Sequence, residues 1–179
     1  MPGKEFWKYK TLDQMSPAEW EALCDGCGRC CLHKLEDRET GEVSYTSVAC
    51  RLLDIHQCRC TAYAQRFQLI PDCMHLTPAL VSKCHWLPPT CAYRRILSGS
   101  PLSWWHPLVS GDSGTVHEAG ISLRDKAISE AYVDAENLMP YLLPEGAWEG
   151  DAEPCTAGRH ADGPQQPPIS APEFSDRAE

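Results

Sequence analysis

Cysteine is the residue type in this sequence that could do chemistry. Eleven cysteines occur in 179 residues, and ten lie between Cys24 and Cys91. Cys24, Cys27, Cys30 and Cys31 form a C-x2-C-x2-C-C run, so one curled loop can present several sulfurs to a common point. Gly26 and Gly28 permit the tight turns that such a loop needs. A comparable run holds iron–sulfur clusters in ferredoxins, whereas structural zinc sites more often draw paired ligands from two separated knuckles. The second half here comprises Cys50, Cys58, Cys60 and Cys73, with Cys91 further on, and those separations suit either metal. Two competing readings are buried free thiols and a disulfide network. Random burial does not place four cysteines in an eight-residue run flanked by glycines. Adjacent Cys30 and Cys31 have Cα atoms about 3.8 Å apart across a trans peptide, short of the usual disulfide span. Metal binding is the chemistry this spacing favours.

Arg29, Lys34, Arg51, Arg59 and Arg66 lie near the cysteines, where cations lower thiol pKa values and offset thiolate charge, although solvated surface is an equal reading for them. His33 follows Cys31 by two residues and is a conceivable ligand. His56, His75, His85, His106 and His117 lack paired spacing, so hydrogen-bonding or surface roles are expected of them. Seven to nine available thiolates exceed what one tetrahedral zinc uses, which favours an iron–sulfur cluster over zinc; two centres are possible if eight participate. Phosphate-binding, dinucleotide-binding, zincin and nucleophile-elbow motifs are all missing, as are the radical-enzyme C-x3-C-x2-C spacing and any finger-type histidine pair.

The elements that must position these residues are short. Ser16-Pro17-Ala18-Glu19 predicts a capped helix running to about Leu23 and delivering the chain into Cys24. A strand is expected over 42–49, ending in Cys50, and a short helix over 61–67. Thr77-Pro78 and Thr90-Cys91 read as N-caps of two more helices, the second stopping before Gly99. Beyond Gly114, a strand is expected over 116–123 and a helix within 129–143 that Pro140 ends or kinks. The fold class read from this is α+β, mostly short helices with minor strands, in a small irregular single domain organised around a cysteine-rich metal centre. That domain is assigned to residues 1–150. Residues 151–179 hold five prolines and six acidic side chains, with only Ile169 and Phe174 as large apolar residues, and read as a disordered acidic tail carrying Cys155.

The formal net charge is −9, so binding to a phosphate backbone is disfavoured. No apolar run approaches a bilayer span, and the N-terminal stretch lacks a signal-peptide core, so no membrane association and a cytoplasmic location are expected.

Taken together, Cys24-Asp-Gly-Cys27-Gly-Arg-Cys30-Cys31-Leu-His-Lys, Val48-Ala-Cys50-Arg-Leu-Leu-Asp, Cys58-Arg-Cys60, Pro71-Asp-Cys73, Trp86-Leu-Pro-x-Thr90-Cys91-Ala-Tyr-Arg and Trp105-His106-Pro107-Leu108 resemble the YcgN-type bacterial cysteine-cluster proteins over about residues 6–145. That family is characterised by a CxxCxxCC domain proposed to chelate zinc or iron, without an assigned reaction. The resemblance implies that Cys24, Cys27, Cys30, Cys31, Cys50, Cys60 and Cys73 are ligands, with Cys58 and Cys91 as further candidates. Cys84 and Cys155 fall outside the pattern. A related cysteine-cluster module in flagellin lysine methylases suggests, by analogy, an iron–sulfur-dependent enzyme modifying a protein side chain, with Thr90, Cys91, Tyr93, Arg94, Trp105 and His106 lining its site. The same residues otherwise form a packing layer over the ligands. A zinc-stapled protein-interaction module is the third reading, its protein partner unknown. The expected function is that of an intracellular metal-binding protein.

Overall fold

In the computed structural model, which describes residues 5–144 and Ala147, the longest regular unit is a hairpin just after the cysteine run. Strand β1 (Leu32–Glu36) pairs antiparallel with β2 (Val43–Ala49), with an irregularity between Leu32 and Lys34. Asp37 closes the turn, its Oδ1 accepting the N–H groups of Glu39 and Thr40. The β-branched and aromatic residues of β2 favour this extended form, and Thr46, Val48 and Ala49 are fully buried. A two-residue strand, β3 (Leu53–Asp54), pairs with β4 (Arg59–Cys60) in a second small hairpin. Far along the chain, β5 (Ile128–Ser129) adds to β2 in parallel, giving the order β1-β2-β5.

Helices are brief. In α1 (Pro17–Ala22) the expected capping box is formed: Ser16 Oγ accepts the Glu19 N–H at 3.3 Å and Glu19 Oε2 accepts the Ser16 N–H at 2.8 Å. Lys10 Nζ donates to both oxygens of the same carboxylate at 2.8 Å. The others are α2 (Arg66–Leu69), α3 (Pro78–Val81), α4 (Ala92–Leu97), α5 (Pro107–Ser110) and α6 (Thr115–Glu118). Thr77 caps α3 as expected. At α4 the N-cap is Cys91 rather than Thr90, whose buried hydroxyl has no hydrogen-bond partner. The protein is thus α+β, with short helices and minor strands in one small domain.

Two stretches depart from expectation. The 116–123 segment is not a strand: it begins as α6 and turns at Gly120, whose φ of +74° is left-handed. Val116 and Ile121 both point into the core, so their apolar spacing served a helical turn and its exit. The 129–143 segment is not a continuous helix either. It contains the end of β5 and two 3₁₀ turns, Glu130–Tyr132 and Met139–Tyr141, separated by extended Val133. Tyr132 and Met139 are exposed, so the segment has no buried stripe to sustain a helix. The 61–67 helix is realised slightly later, as a 3₁₀ turn Tyr63–Gln65 leading into α2. The acidic tail assigned to 151–179, with Cys155, lies outside the described residues.

The apolar interior is divided among three clusters. The first gathers Phe6, Leu12, Leu23, Leu87, Tyr93 and neighbours, the second Leu32, Ala49, Leu53, Cys58 and Leu123, and the third Trp105, Val116 and Ile121. Among the described residues no helix is long and apolar enough to cross a membrane.

Candidate metal centre

The cysteine run starts where α1 stops. Leu23 is fully buried, and its carbonyl accepts a hydrogen bond from His106 Nε2 at 3.1 Å. Asp25 then makes a tight turn, its Oδ1 accepting the Cys27 N–H at 2.9 Å. Gly26 and Gly28, at φ +76° and +78°, supply left-handed backbone on either side of Cys27. From across the fold, the Leu123 N–H donates to the Cys27 carbonyl at 2.9 Å, and buried Arg29 donates through Nε to the Ile121 carbonyl at 2.7 Å. A single 3₁₀ turn, Arg29–Cys31, then feeds β1. Cys50, immediately after β2, donates its N–H to the Cys31 carbonyl at 2.9 Å, joining the two halves of the constellation through backbone. Cys60 sits on β4, Cys73 follows α2, and Cys91 caps α4.

Eight of the nine candidate thiols fall into two sets that feel one another's charge. Cys24, Cys27, Cys30 and Cys91 form one, with Asp25 among them. Cys50, Cys60 and Cys73 form the other. Cys31 bridges them, its sulfur 4.0 Å from that of Cys30 and within electrostatic reach of Cys50. Burial first, and then neighbouring negative charge from Asp25 and Cys30, pushes the Cys24 and Cys27 thiols up, and likewise takes Cys91 up to about 12. Cys24 nevertheless keeps solvent-accessible surface, as does Cys30, so this set borders an opening to solvent. Cys30 moves the other way, to about 7, because the Cys31 S–H donates to its sulfur and the Lys34 ammonium lies near. Lys34 is held in place by the Cys30 and Leu32 carbonyls and by the ring of Trp86, 4.5 Å below its Nζ. Burial also raises Cys50 and Cys73. Thiols that raise one another's pKa cannot all ionise without a compensating cation, and a bound metal supplies that cation.

Cys58 stands apart. Its φ of +53° turns the side chain into the second cluster, against Leu53 and Leu123, and its polar neighbours are Ser122, Arg124 and Asp125 rather than thiols. Cys84 packs in the first cluster, 3.7 Å from the Met74 sulfur. Four histidines are engaged elsewhere: His33 with Glu130, His56 with Asp125, His75 against the Phe67 ring and His117 with Ser122. His106, only 1 % exposed, also accepts the Leu108 N–H at Nδ1, so both its ring nitrogens are used. Tyr93 donates its hydroxyl to the Trp20 carbonyl, and Arg94 donates to the Leu87 and His85 carbonyls. Three of the residues considered for an enzymatic site, Tyr93, Arg94 and His106, therefore hold backbone in place.

Among the described residues, no three His, Cys, Asp or Glu side chains close around a common point at ligation distance. The thiols are gathered, and ligation requires the loops to draw them inward. The donor set fits a thiophilic metal, and among the described residues two buried polar atoms beside it have no hydrogen-bond partner, Asp25 Oδ2 and, next to Cys91, Thr90 Oγ1. Asp25 and Glu130 are the site residues that sequence reasoning passed over. Asp25 was readable as the one acidic residue inside the cysteine run; Glu130, 97 residues from His33 and 79 from Arg51, gave no local signal.

Residues 23–92 match the sequence profile of the CxxCxxCC domain, described as a "putative zinc- or iron-chelating domain". The chain is 59 % identical over 145 residues to a UPF0260 protein of Granulibacter bethesdensis, covering 81 % of this chain and 84 % of that one. A UPF0260 protein of Gluconacetobacter diazotrophicus is 61 % identical over 125 residues (70 % and 78 %), and one of Mesorhizobium japonicum is 58 % identical over 140 residues (77 % and 95 %). No solved structure matches the chain.

Proposed function

The chain belongs to the UPF0260 family, and from that premise we propose that it is a metal-binding protein whose clustered thiolates hold an iron–sulfur cluster in preference to zinc. The observation that carries this reading is the gathering of eight candidate thiols into two mutually coupled sets joined through Cys30 and Cys31. Cys24, Cys27 and Cys30 would hold one centre, with Cys91 at its border, and Cys31, Cys50, Cys60 and Cys73 would extend it or hold a second. Such a count exceeds the four positions of one tetrahedral zinc. When bound, the group would supply a redox couple or, in the zinc case, a structural staple. The chain's own residues gather and orient the sulfurs: α1 and His106 fix the entry to Cys24, the Leu123 N–H fixes Cys27, and the Cys31–Cys50 backbone bond fixes the two halves.

Electron transfer, sensing or a structural role suits this arrangement better than side-chain chemistry, because Tyr93, Arg94 and His106 are committed to backbone carbonyls. A reducing compartment, the cytoplasm, keeps such thiols available for metal. The net charge of −9 argues against a nucleic-acid partner. The test is anaerobic purification of the full chain, with metal analysis, acid-labile sulfide and a visible spectrum on one sample. Iron with sulfide and a broad visible absorbance is the expected result. Stoichiometric zinc in a colourless sample would keep the metal reading but remove the cluster, and protein without stoichiometric metal would overturn both.

A further inference from the structure

We infer that Asp25 is an oxygen donor to the metal held by the Cys24, Cys27 and Cys30 thiols, which makes this centre a mixed sulfur–oxygen site. The inference rests on the metal-binding reading above and adds a ligand of a different chemical class. Asp25 is 8 % exposed, a deep burial for a carboxylate. Its Oδ1 is satisfied by the Cys27 N–H, while Oδ2 is buried with no hydrogen-bond partner. A buried acceptor of this kind carries a desolvation cost, greater when it is charged. Sequences retain that cost where the orphan atom meets something the bare chain does not contain.

The chain's own cations near the run are committed elsewhere. Lys34 donates to the Cys30 and Leu32 carbonyls, Lys10 to Glu19, and Arg29 through Nε to the Ile121 carbonyl. The neighbouring imidazole of His106 has both nitrogens engaged, with the Leu23 carbonyl and the Leu108 N–H. The charge of Asp25 is felt at four thiols, Cys24, Cys27, Cys30 and Cys91, and at the His106 imidazole. A carboxylate alone among thiols repels every thiolate that forms. Bound to the same cation as the thiolates, it is neutralised with them, and its second oxygen stays free to hold the Cys27 N–H. Zinc and iron both accept carboxylate oxygen alongside thiolate sulfur, and for these metals the oxygen is the harder, more exchangeable donor.

The test is X-ray absorption at the zinc or iron edge of anaerobically purified full-length protein, with Asp25→Asn in parallel and metal retention measured against a chromophoric chelator. Asparagine keeps an acceptor for the Cys27 N–H, so the turn is preserved. Expected is a light-atom scatterer at about 2.0–2.2 Å beside sulfur at about 2.3 Å in the native protein. The variant should lose that scatterer and bind metal at least about tenfold more weakly. A sulfur-only shell in the native protein, or a variant with native scattering and native retention, would overturn the assignment while leaving metal binding intact. Native protein without metal would instead overturn the reading on which it rests. If circular dichroism shows the variant unfolded, the native scattering alone decides.

Discussion

Replacing Glu130 with alanine should loosen the seam between the two halves of the constellation. The parallel pairing of β2 with β5 sets Ala49 opposite Ser129, so Glu130 arrives beside Cys50 and Arg51. Its Oε1 accepts the Arg51 N–H at 2.9 Å and meets the Arg51 guanidinium at 3.4 Å, while Oε2 accepts from His33 Nε2. One carboxylate thus clips the strand leaving Cys31 to the turn entered from Cys50. Hydrogen bonds to a charged acceptor contribute about 1.5–3 kcal/mol net. The Glu130 side chain is 19 % exposed and the Arg51 side chain 54 %, so the guanidinium adds little and the Arg51 N–H and His33 carry the effect. Loss of about 2 kcal/mol follows, or a fall in Tm of about 5 °C for a domain of this size. Burial alone would raise the Glu130 pKa, but the Arg51 N–H and His33 outweigh it and the net shift is downward. A depressed folded pKa stabilises the fold above the unfolded value of about 4.3, and this contribution is lost as pH falls through the folded one. Thermal melts of native and variant protein should therefore differ at neutral pH and converge in acid. Acid also releases metal from thiolates, but it does so in both proteins, so the difference between them remains the readout. Equal melts at neutral pH, or a gap unchanged in acid, would refute the reasoning.

Three further outcomes are expected. Cys58→Ala should leave metal per chain unchanged after dialysis and cost about 1 kcal/mol for the small cavity, whereas Cys60→Ser should lower metal content. Gly28→Ala should destabilise by about 1–2 kcal/mol through its left-handed backbone, since the added Cβ meets Leu53 Cδ2 at 3.5 Å and Leu123 Cδ1 at 3.6 Å in ordinary contact; urea denaturation measures this. Stripping the metal with a chelator should broaden the urea transition and lower its m-value, and an apo protein with the native slope would count against a metal that joins the core.

The local features of this fold were readable because they depend on neighbours in sequence. The Ser16–Glu19 box, the Thr77 cap and the β-branched run of β2 each form from residues within a few positions. The segment after Gly114 was not, because its conformation is decided at a distance. Ile128 and Ser129 become a strand only by joining β2, about eighty residues away, and Val116 and Ile121 are turned inward against Trp105. Within the site, spacing drew attention to the run at Cys24 but could not separate Cys58 from Cys60. Period-two alternation would set both on one face of a strand, yet left-handed Cys58 precedes β4 and rotates its sulfur into the apolar cluster. Asp25 needed coordinates for a different reason: whether a carboxylate oxygen lacks a partner is a property of everything packed around it.

The cysteines also explain how so divided an interior holds together. Cys91 borders the first apolar cluster, Cys31 the second and Cys27 the third. Each of these small clusters is built from brief elements, and the backbone bond from Leu123 to Cys27 ties the second to the third. A metal bound by Cys91 together with thiols of the run would cross-link all three clusters. Its binding free energy would then act as folding free energy, as it does in small metal-dependent domains. Short helices and two-residue strands are sufficient under that arrangement, since they need only bring sulfurs within reach of a common centre, and the metal–sulfur bonds supply the cohesion that longer elements provide in a conventional core.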